Sequence, residues 1–455
     1  MYVIPWIYER ATELRNRQFA AARKELEEIQ WWDQKRIREW QWSQLLKVVD
    51  HAYRTVPYYR TLFDRIGLRP SPSMDVADFK RIPILDKSTL RARLRDLVST
   101  SFRRDQLTLS ATGGSTGEPT KFFYDHSFSL YRRALKIRNL QWTGWEIGDF
   151  RVLIWGSDFD IATPTLKSRL LDAFVFRRAI IPAFQLAPES VSALIALVNK
   201  YDVKVIEGYN SALCFIAEEM LQKGLFFGRP IKAVINAAEK LFPYQRSLFQ
   251  EAFGCRIHDK YGGRELSDIA YECEQGGFHI NQDMVFVEAL KEDGSDCKSG
   301  EVGRLVVTSL RNWGMPFIRY EIGDLAVPKE GHCPCGRGFN LLDRIEGRVH
   351  DLIRLPDGRS VAGEFFPHLF KDYDIKRFQV VQESLDYVVI KIVPGNAFED
   401  KSLQSIETVL ARFFPGVHFN IVFVTEIAPG PSGKYRFTIS HVVGCQGSSS
   451  VAADI

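Results

Sequence analysis

A run of small and hydroxylated residues, SATGGSTGEPTKFFYD, extends from Ser110 to Asp125. Glycine permits backbone angles and close approaches that other residues do not. Backbone N–H groups, hydroxyls and a cation in one loop are the groups that bind phosphate oxygens. A simple turn between two strands has the same composition, so the loop alone leaves both interpretations open. The candidate phosphate ligands are Thr112, Gly113, Gly114, Ser115, Thr116, Gly117 and Lys121.

The spacing of this loop differs from that of a P-loop. A Walker A sequence has Gly, four residues and then Gly-Lys. Here Gly113 is followed five positions later by Glu118. The sequence therefore argues against the P-loop kinases and NTPases.

Two further motifs carry carboxylates. Tyr261-Gly262-Gly263-Arg264-Glu265 directly follows a predicted strand that ends at Asp259, and ligands bind at strand ends in α/β sheets. Glu265 offers an oxygen ligand for Mg²⁺, and Tyr261 could stack on a flat base. In Ile318-to-Asp324, the carboxylate of Asp324 follows a glycine turn and could accept both hydroxyls of a ribose. Each motif alone is equally compatible with an ordinary surface turn.

The order of the motifs resembles a known family. The Gly/Ser/Thr loop is followed by Ala237-Ala238-Glu239, Tyr-Gly-x-x-Glu, Arg-Tyr-x-x-Gly-Asp, Gly-Arg-x-x-Asp and a terminal Ser-Gly-Lys. Together they resemble the adenylate-forming superfamily, which includes acyl-CoA synthetases. The segments Leu45-to-Arg60 and Ile82-to-Lys87 look like the N-terminal signature of its phenylacetate–CoA ligase branch. Arg264 and Pro431-to-Arg436 look like the CapK-type members from polysaccharide clusters.

This resemblance implies a role for each matching residue. The loop from Thr112 to Lys121 binds the β- and γ-phosphates of ATP, and Asp324 binds the ribose. Glu265 is the Mg²⁺ carboxylate, and Arg264 stands where Thr is common, so a guanidinium would make the phosphate contact there. The resemblance further assigns Ala238, Glu239 and Tyr261 to the adenine, Arg348 to the interdomain hinge region and Lys434 to catalysis as the mobile lysine.

Two positions keep other interpretations open. Without the resemblance, Lys434 would be an ordinary surface lysine after a Pro-Gly-Pro-Ser-Gly turn. Most members have Asp or Lys at the hinge, where this chain has His350 followed by Asp351. The hinge residue is therefore either His350 or Asp351.

The function implied by the resemblance is an AMP-forming ligase. A carboxylic acid and ATP give an acyl-adenylate and pyrophosphate, and the acyl group passes to coenzyme A or to an amine or hydroxyl acceptor. By analogy the acid lies near Trp155, Tyr209 and Asn236-Ala237. An aryl acid and a uronic acid of a polysaccharide precursor both remain open. The alternative is a non-catalytic scaffold of a polysaccharide assembly complex, although Glu265, Asp324 and Lys434 are all present.

Four residues have types that suit a metal site. Cys273 and His279 are separated by five residues, and Cys333-Pro334-Cys335 follows. Three thiolates and an imidazole make a closed tetrahedral Zn²⁺ set with a structural role. His332 is a competing ligand, and four unrelated residues are the alternative. Some relatives in the phenylacetate–CoA ligase branch carry a similar set.

Composition excludes several protein classes. The chain has 455 residues, with 60 Lys and Arg against 56 Asp and Glu, a net charge of +4. This balance gives no reason to expect a nucleic-acid partner. No apolar run reaches the roughly 20 residues of a membrane span, and the N-terminus does not have the pattern of a secretion signal. Seven scattered cysteines indicate a reducing compartment, so we expect a cytoplasmic protein. Relatives are commonly dimers, which leaves a homodimer open.

The elements that would position these motifs form an α/β protein. The first 100 residues have helical patterns, and short strands then alternate with helices to about residue 259, which indicates a sheet covered by helices. The predicted domains are an ATP- and acid-binding domain at 1–346, an α+β lid domain at 347–443 and a disordered tail at 444–455. The resemblance implies that the lid rotates between half-reactions.

Overall fold

The structure is a computed structural model. It describes residues 3–111, 120–155, 171–183, 186, 188–348, 352–357, 360–362, 365–370, 373–428 and 437–442. The described chain separates into two compact units, and the boundary lies between Ile345 and Glu346. The α/β class predicted from the sequence is confirmed.

The helices and strands are numbered in chain order. The helices of the described residues are α1 Val3–Arg15, α2 Arg17–Ile29, α3 Gln34–Thr55, α4 Pro57–Arg65, α5 Val76–Lys80, α6 Lys87–Ala92, α7 His126–Gln141, α8 Pro188–Tyr201, α9 Asn210–Gln222, α10 Pro243–Phe253, α11 Phe365–Phe370 and α12 Asp400–Phe413. The strands are β1 Leu107–Ala111, β2 Lys121–Asp125, β3 Phe150–Ile154, β4 Arg178–Ile181, β5 Val203–Tyr209, β6 Ala233–Ala237, β7 Arg256–Gly263, β8 Ser267–Glu272, β9 Phe278–Ile280, β10 Val285–Leu290, β11 Gly303–Ser309, β12 Tyr320–Lys329, β13 Leu341–Arg348, β14 Leu352–Arg354, β15 Ser360–Ala362, β16 Ile375–Ser384, β17 Tyr387–Pro394, β18 His418–Phe423 and β19 Thr438–Ser440.

The first unit is organised around one large mixed sheet. Its strand order is β10-β11-β12-β13-β9-β8-β7-β6-β5-β3-β4. Strands β4, β3, β5, β6 and β7 run parallel, and β8 then continues from β7 in the antiparallel sense. Parallel strands buried on both faces need helices on both sides. Their carboxyl ends meet at one edge, which is the usual place for a ligand in such sheets.

The N-terminal helices pack on one side of this sheet. Their apolar residues, among them Leu45, Val49 and Phe63, share one core with residues of α7 and of the sheet. A second core lies among the parallel strands, α8, α9 and α10. Leu45 and Val49 are buried on α3.

The start of α7 is tied to a distant segment. Asp125 caps the helix by accepting from the backbone N–H of Phe128 at 3.0 Å. Its second oxygen accepts from the N–H groups of Trp313 and Gly314 at 2.8 and 2.9 Å. Each charge-assisted bond of this kind stabilises the fold by about 1.5–3 kcal/mol. The end of the β1–β2 hairpin is thereby held in place.

The second unit is a small α+β fold. Its four-stranded sheet has the order β18-β17-β16-β19, with β17 parallel to β18 and β16 parallel to β19. Phe366 of α11 and Phe414, which directly follows α12, pack on this sheet in a core of their own. The tail at 444–455 lies outside the described residues.

Two local predictions were wrong. Strand β7 does not end at Asp259 but continues to Gly263, because it pairs with β8 through Gly262 and Gly263. A Cβ on Gly262 would lie 2.3 Å from the carbonyl oxygen of Ser267, so glycine is required for this approach. Asp324 does not follow a turn between strands, because β12 continues through Gly323 and Asp324, although its pairing with β11 is irregular there and Gly323 has φ +88°.

Candidate active site

Tyr261 and Asp324 meet although they belong to separate motifs. The hydroxyl of Tyr261, at the end of β7, donates to Oδ2 of Asp324 on β12 at 2.8 Å. Both side chains are half-buried. The hydrogen bond fixes the direction of the carboxylate, and Oδ1 of Asp324 is not part of it.

Glu265 lies beside the same pair. It is 6% exposed, and its Oε1 accepts from the hydroxyl of Tyr320 at 3.2 Å. Burial, and then the charge of Glu265, raise the pKa of Tyr320 far above its usual value, so this hydroxyl stays a donor. A Cβ on Gly263 would be 3.0 Å from Oε2 of Glu265. Because Gly263 has no side chain, the space next to Oε2 of Glu265 is not filled by a Cβ atom at this position.

The oxygen atoms of this region suit a hard cation. Glu265 and Asp324 both lie close enough to Tyr320 for their charges to raise its pKa. Carboxylate oxygens with room for water and phosphate are the donor set that Mg²⁺ prefers. The residues present therefore fit the predicted magnesium ion, with Glu265 as the protein ligand.

The segment that contains the phosphate-binding candidates is bordered by Ala111 and Thr120, each of which accepts a hydrogen bond from an arginine. Residues 112–119, which include Thr112 to Gly117, lie outside the described residues. At one end of the loop, the guanidinium of Arg264 donates to the carbonyl oxygen of Ala111 at 3.4 Å. At the other end, Nε of Arg91 donates to the hydroxyl of Thr120 at 3.1 Å. Lys121 is exposed at the first position of β2.

Ala238 and Glu239 follow β6 at the carboxyl edge of the sheet. Ala238 has φ +68°, a left-handed conformation that is strained for residues other than glycine. The carboxylate of Glu239 accepts from the backbone N–H of Ser211 at 2.7 Å and from its hydroxyl at 3.2 Å. Glu239 therefore contacts the first turn of α9.

The segment from Lys80 to Lys87 is hydrogen-bonded to the start of β12. The backbone N–H of Leu85 donates to the carbonyl oxygen of Arg319 at 2.9 Å, and the carbonyl oxygen of Leu85 accepts from the N–H of Glu321 at 3.0 Å. Lys87 donates to the carbonyl oxygen of Ile322. The guanidinium of Arg319 pairs with buried Glu288 and also donates to the carbonyl oxygens of Lys80 and Ile82. The Ile82-to-Lys87 signature thus holds the strand that carries Tyr320 and Asp324.

The residues predicted around the hinge and lid are largely outside the described part of the chain. This holds for Lys434, His350 and Asp351. Arg348 is the last residue of β13, and its side chain is outside the described residues as well. Their roles stay predictions.

The residues predicted around the acid come together at the same sheet edge. The rings of Trp155 and Tyr209 lie 4.5 Å apart between centroids. Nδ2 of Asn236 donates to Oδ1 of Asp259 at 2.8 Å. Burial raises the pKa of Asp259 to about 6, against the effect of that hydrogen bond. An aromatic pair and the half-buried carboxyl group of Asp259 therefore border the carboxyl ends of β3, β5 and β7.

The four candidate metal ligands form one cluster. The ligating atoms of Cys273, His279, Cys333 and Cys335 all lie within 4.8 Å of one another. Sγ of Cys273 is 3.6 Å from Sγ of Cys333, and Sγ of Cys335 is 3.2 Å from Nε2 of His279. The edges of a tetrahedral Zn²⁺ site with thiolate ligands measure about 3.8 Å. The exposed His332 is not part of the cluster.

The surroundings of the cluster also fit a metal ion. A Cβ on Gly277 would lie 2.5 Å from Sγ of Cys333 and 2.9 Å from Nε2 of His279. Backbone N–H groups of Gln275 and Arg337 point at two of the sulfur atoms at 3.4 and 3.5 Å. Burial lowers the pKa of His279 to about 4, so the imidazole is neutral, the form that binds metals.

The sequence interpretation missed the role of Tyr320. It lies inside the Arg-Tyr-x-x-Gly-Asp motif, in which a role was predicted only for Asp324. Its hydroxyl connects the Tyr261–Asp324 side of the site to Glu265. No pattern in the sequence indicated this contact, because the pairing of β12 with β11 is irregular between Glu321 and Leu325.

Comparison with known proteins places these features in a family context. A model of the CapK C-terminal domain matches residues 353–441. The protein CapK of Staphylococcus aureus is 24% identical over 381 residues, covering 81% of each chain. The phenylacetate–coenzyme A ligase of Thermus thermophilus is 26% identical over 332 residues, covering 72% of this chain and 73% of that one.

Solved structures agree with the sequence relatives. A 2-hydroxyisobutyryl-CoA ligase in the postadenylation state matches with a TM-score of 0.69 and 22% identity, covering 88% of each chain. An ATP-bound MatB from Rhodopseudomonas palustris matches with a TM-score of 0.52 and 16% identity, covering 74% of this chain and 68% of that one. The resemblance to CapK and the phenylacetate–CoA ligases is confirmed, and the fold is that of adenylate-forming CoA ligases. No helix in the described ranges is long and apolar enough to cross a membrane.

Proposed function

We propose that this chain is an AMP-forming ligase that activates a carboxylic acid with ATP. The acid and ATP give an acyl-adenylate and pyrophosphate, and the acyl group then passes to coenzyme A. The relatives named as phenylacetate–coenzyme A ligases and the fold shared with CoA ligases support this reaction.

One observation carries the proposal. Residues of two motifs, about 60 positions apart, are joined by the Tyr261–Asp324 and Tyr320–Glu265 hydrogen bonds at one edge of the sheet. Separate surface turns would have no reason to meet in this way. A scaffold without catalysis would have no need of a buried carboxylate with a positioned donor, because burying an ionised group is costly.

Each group of residues has a proposed role that follows from its chemistry. Asp324, oriented by Tyr261, accepts hydrogen bonds from the ribose hydroxyls. The loop Thr112 to Gly117, with Lys121 and Arg264, binds phosphate oxygens, and Ala238 and Glu239 border the adenine. Glu265 would hold Mg²⁺, which neutralises negative charge on the leaving pyrophosphate. Positioning and charge neutralisation are the main demands of phosphoryl chemistry.

The second unit supplies the last cation in this proposal. Lys434 lies between the substrate carboxylate and the α-phosphate during adenylation. We place the hinge at Arg348 and His350–Asp351, close to the unit boundary between Ile345 and Glu346. A lid that moves between half-reactions would exclude water and then admit coenzyme A.

We also propose a structural Zn²⁺ ion in the cluster of Cys273, His279, Cys333 and Cys335. Four protein ligands leave no open position, so the metal would stabilise the fold and take no part in the reaction. Arg337, next to this cluster, pairs with Glu274 at 2.8 Å and donates to the side chain of Gln30, the residue directly after α2, at 3.0 Å. The metal site would therefore brace the N-terminal helices against the sheet.

The similarity to CapK supports a cytoplasmic role in polysaccharide biosynthesis as the finer proposal. In that setting the acceptor could be an amine or hydroxyl in place of coenzyme A. The acid and the acceptor are independent choices for an adenylate-forming enzyme, because the mixed anhydride reacts with any well-placed nucleophile.

The direct test is ATP–pyrophosphate exchange. The purified chain is incubated with ATP, labelled pyrophosphate, Mg²⁺ and single carboxylic acids from a panel of aryl, aliphatic and sugar acids. We expect exchange that depends on the acid and needs no acceptor. Absence of exchange with every acid, in protein that is folded and binds ATP, would favour the scaffold.

A further inference from the structure

A group of charged residues between α7 and the parallel strands surrounds buried Glu207 and Arg151, while the side chain of Lys136 at its border is 41% exposed. Glu207 on β5 accepts from Lys260 of β7 at 2.8 Å and lies 3.7 Å from both Lys136 of α7 and Arg151 of β3. Lys260 is also 3.5 Å from Asp268. These five residues, together with Tyr271, are called the buried polar cluster below.

The cluster carries polar atoms that lack partners. Oε2 of Glu207 and Nη1 of Arg151 form an ion pair at 3.7 Å, but these two atoms and the hydroxyl of Tyr271 are buried without a hydrogen bond among the described residues. Glu207 and Tyr271 are each 2% exposed, and Arg151 is 9% exposed. A buried polar atom without a partner costs about 1–3 kcal/mol. Three of them in one place therefore indicate an occupant that hydrogen-bonds to them.

The protonation states of these residues determine which hydrogen-bond donors and acceptors the occupant must have. Burial alone would raise the pKa of Glu207, but the charges of Lys136, Lys260 and Arg151 lower it well below its usual value. Glu207 is therefore a carboxylate, which only accepts, and Arg151 only donates. Burial raises the pKa of Tyr271 far above normal, so its hydroxyl is neutral. A hydroxyl group of a ligand can donate to Glu207 and accept from Arg151 at once.

The cluster lies directly beneath the aromatic pair at the sheet edge. Tyr209 and Glu207 are two positions apart on β5, so they point to the same face and are separated by about 7 Å along the strand. The register aligns Tyr209 with Ala237 and Lys260, and Nζ of Lys260 is 5.9 Å from the ring centroid of Trp155. Tyr261, the next residue, points to the opposite face.

We infer that the acid substrate carries a hydroxyl group on its far end, which binds between Arg151, Glu207 and Tyr271. This inference rests on the proposed function and adds the substrate class: hydroxylated acids, among which sugar acids and hydroxyaryl acids both qualify. The carboxylate would stay at the sheet edge near the nucleotide, while the body of the acid packs against Trp155 and Tyr209. An apolar acid would leave the three buried atoms without hydrogen bonds, so the site should discriminate strongly against apolar acids.

The test compares matched acids that differ by one oxygen atom. Pyrophosphate exchange is measured with phenylacetate against 4-hydroxyphenylacetate, and with hexanoate against 6-hydroxyhexanoate. For at least one pair we expect kcat/KM to be at least ~10-fold higher for the hydroxylated acid. Equal rates in both pairs would mean that water alone fills the cluster, and a preference for 4-carboxyphenylacetate would mean that the far group is an anion. Either result overturns the inference.

Variants locate the preference in the cluster. Arg151→Met removes one unpartnered donor and leaves two cations facing two anions, and Tyr271→Phe deletes only the unpartnered hydroxyl. Both should lower the preference, measured as the ratio of kcat/KM for the two acids of a pair, at least ~5-fold. Tyr59→Phe is the matched control, because buried Tyr59 already donates to Pro316 and accepts from Ile318. It should lose stability and keep the preference.

Failure of the proposed function gives a different result. If no acid supports exchange, the acids are compared by the rise in Tm that each one causes in the wild-type chain and in Arg151→Met. A larger rise with the hydroxylated acids, lost in Arg151→Met, would uphold the hydroxyl site without adenylation. Equal rises in both proteins would overturn it.

Discussion

The hydroxyl of Tyr261 donates to Asp324 at 2.8 Å although the two residues are 63 positions apart. This contact ties β7 to β12 across the antiparallel part of the sheet. It also leaves the second carboxylate oxygen of Asp324 outside the contact. The relationship makes Asp324 the natural place to test nucleotide binding.

Replacing Asp324 by Asn should weaken ATP binding and leave folding intact. The amide keeps an oxygen that can accept from Tyr261, but it loses the charge that strengthens hydrogen bonds to ribose hydroxyls. A charged hydrogen bond is worth about 1.5–3 kcal/mol, so the KM for ATP should rise about 10- to 100-fold. Tyr261→Phe, which keeps the carboxylate, should show a smaller rise. An unchanged KM in Asp324→Asn would remove the ribose assignment.

Glu265→Gln should reduce magnesium-dependent adenylation. The amide is a much poorer Mg²⁺ ligand than the carboxylate, and Oε1 can still accept from Tyr320. We expect pyrophosphate exchange to fall about 100-fold at low Mg²⁺ and to recover in part as Mg²⁺ is raised. Glu330→Gln, at an exposed position, is the control. The same loss at every Mg²⁺ concentration would argue against a metal role for Glu265.

Lys434→Ala should abolish acyl-adenylate formation while ATP binding is largely kept. The lysine is proposed to act only on the reacting carboxylate and α-phosphate, so its loss should affect kcat far more than nucleotide affinity. The measurements are pyrophosphate exchange and ATP binding by calorimetry. Lys401→Ala, an exposed lysine of the same unit, should behave like the wild type. Normal adenylation rates in Lys434→Ala would defeat the assignment.

Gly277→Ala should cause loss of the zinc ion although all four proposed ligands are retained. The added Cβ would lie 2.5 Å from Sγ of Cys333 and inside the space that the metal needs. We expect one zinc per chain in the wild type, and strong loss of zinc with a lower Tm in Gly277→Ala and Cys335→Ser, because a structural metal contributes folding energy. Cys297→Ser, outside the cluster, should retain the metal. Wild-type protein without stoichiometric zinc would refute the site.

Asp259→Asn should change how stability depends on pH. Because burial raises the pKa of Asp259 to about 6 from 3.8, the folded chain binds more protons than the unfolded chain between these values. The free energy of unfolding therefore falls as pH rises through this range. Above pH 6 the variant should be about 1–3 kcal/mol more stable than the wild type, and near pH 4 the two should converge.

Urea unfolding at pH 4, 5 and 7 measures this difference. Oδ1 of Asp259 accepts from Asn236 and from the N–H of Lys260, and Asn can accept in the same way. Asp105→Asn, at an exposed position, is the control and should show no such crossover. A variant that is less stable than the wild type at every pH would contradict the expectation.

Much of the architecture could be predicted from local patterns. Alternating apolar strands and helices between Arg151 and Asp259 predicted the parallel half of the sheet, and the structure has β3 to β7 there. The boundaries moved by up to four residues, because strand ends depend on the pairing partner. Strand β7 extends to Gly263 since β8 pairs with it, and no pattern inside Tyr261-to-Glu265 could show this.

The cluster of Cys273, His279, Cys333 and Cys335 could be predicted from residue types alone, because few other combinations suit their chemistry. The buried polar cluster could not. Lys136, Arg151 and Glu207 stand in segments that otherwise look like a core helix and core strands, so single charged residues there give no signal. Only the register of β3, β5 and β7 brings their charges together.

The position of β13 has a consequence for how the chain matures during synthesis. This strand is the last of the large sheet to leave the ribosome, yet it lies between β12 and β9, with Leu341 and Leu342 pairing to β9. Until residue 342 has emerged, β12 and β9 each present an unpaired edge, and such edges invite aggregation.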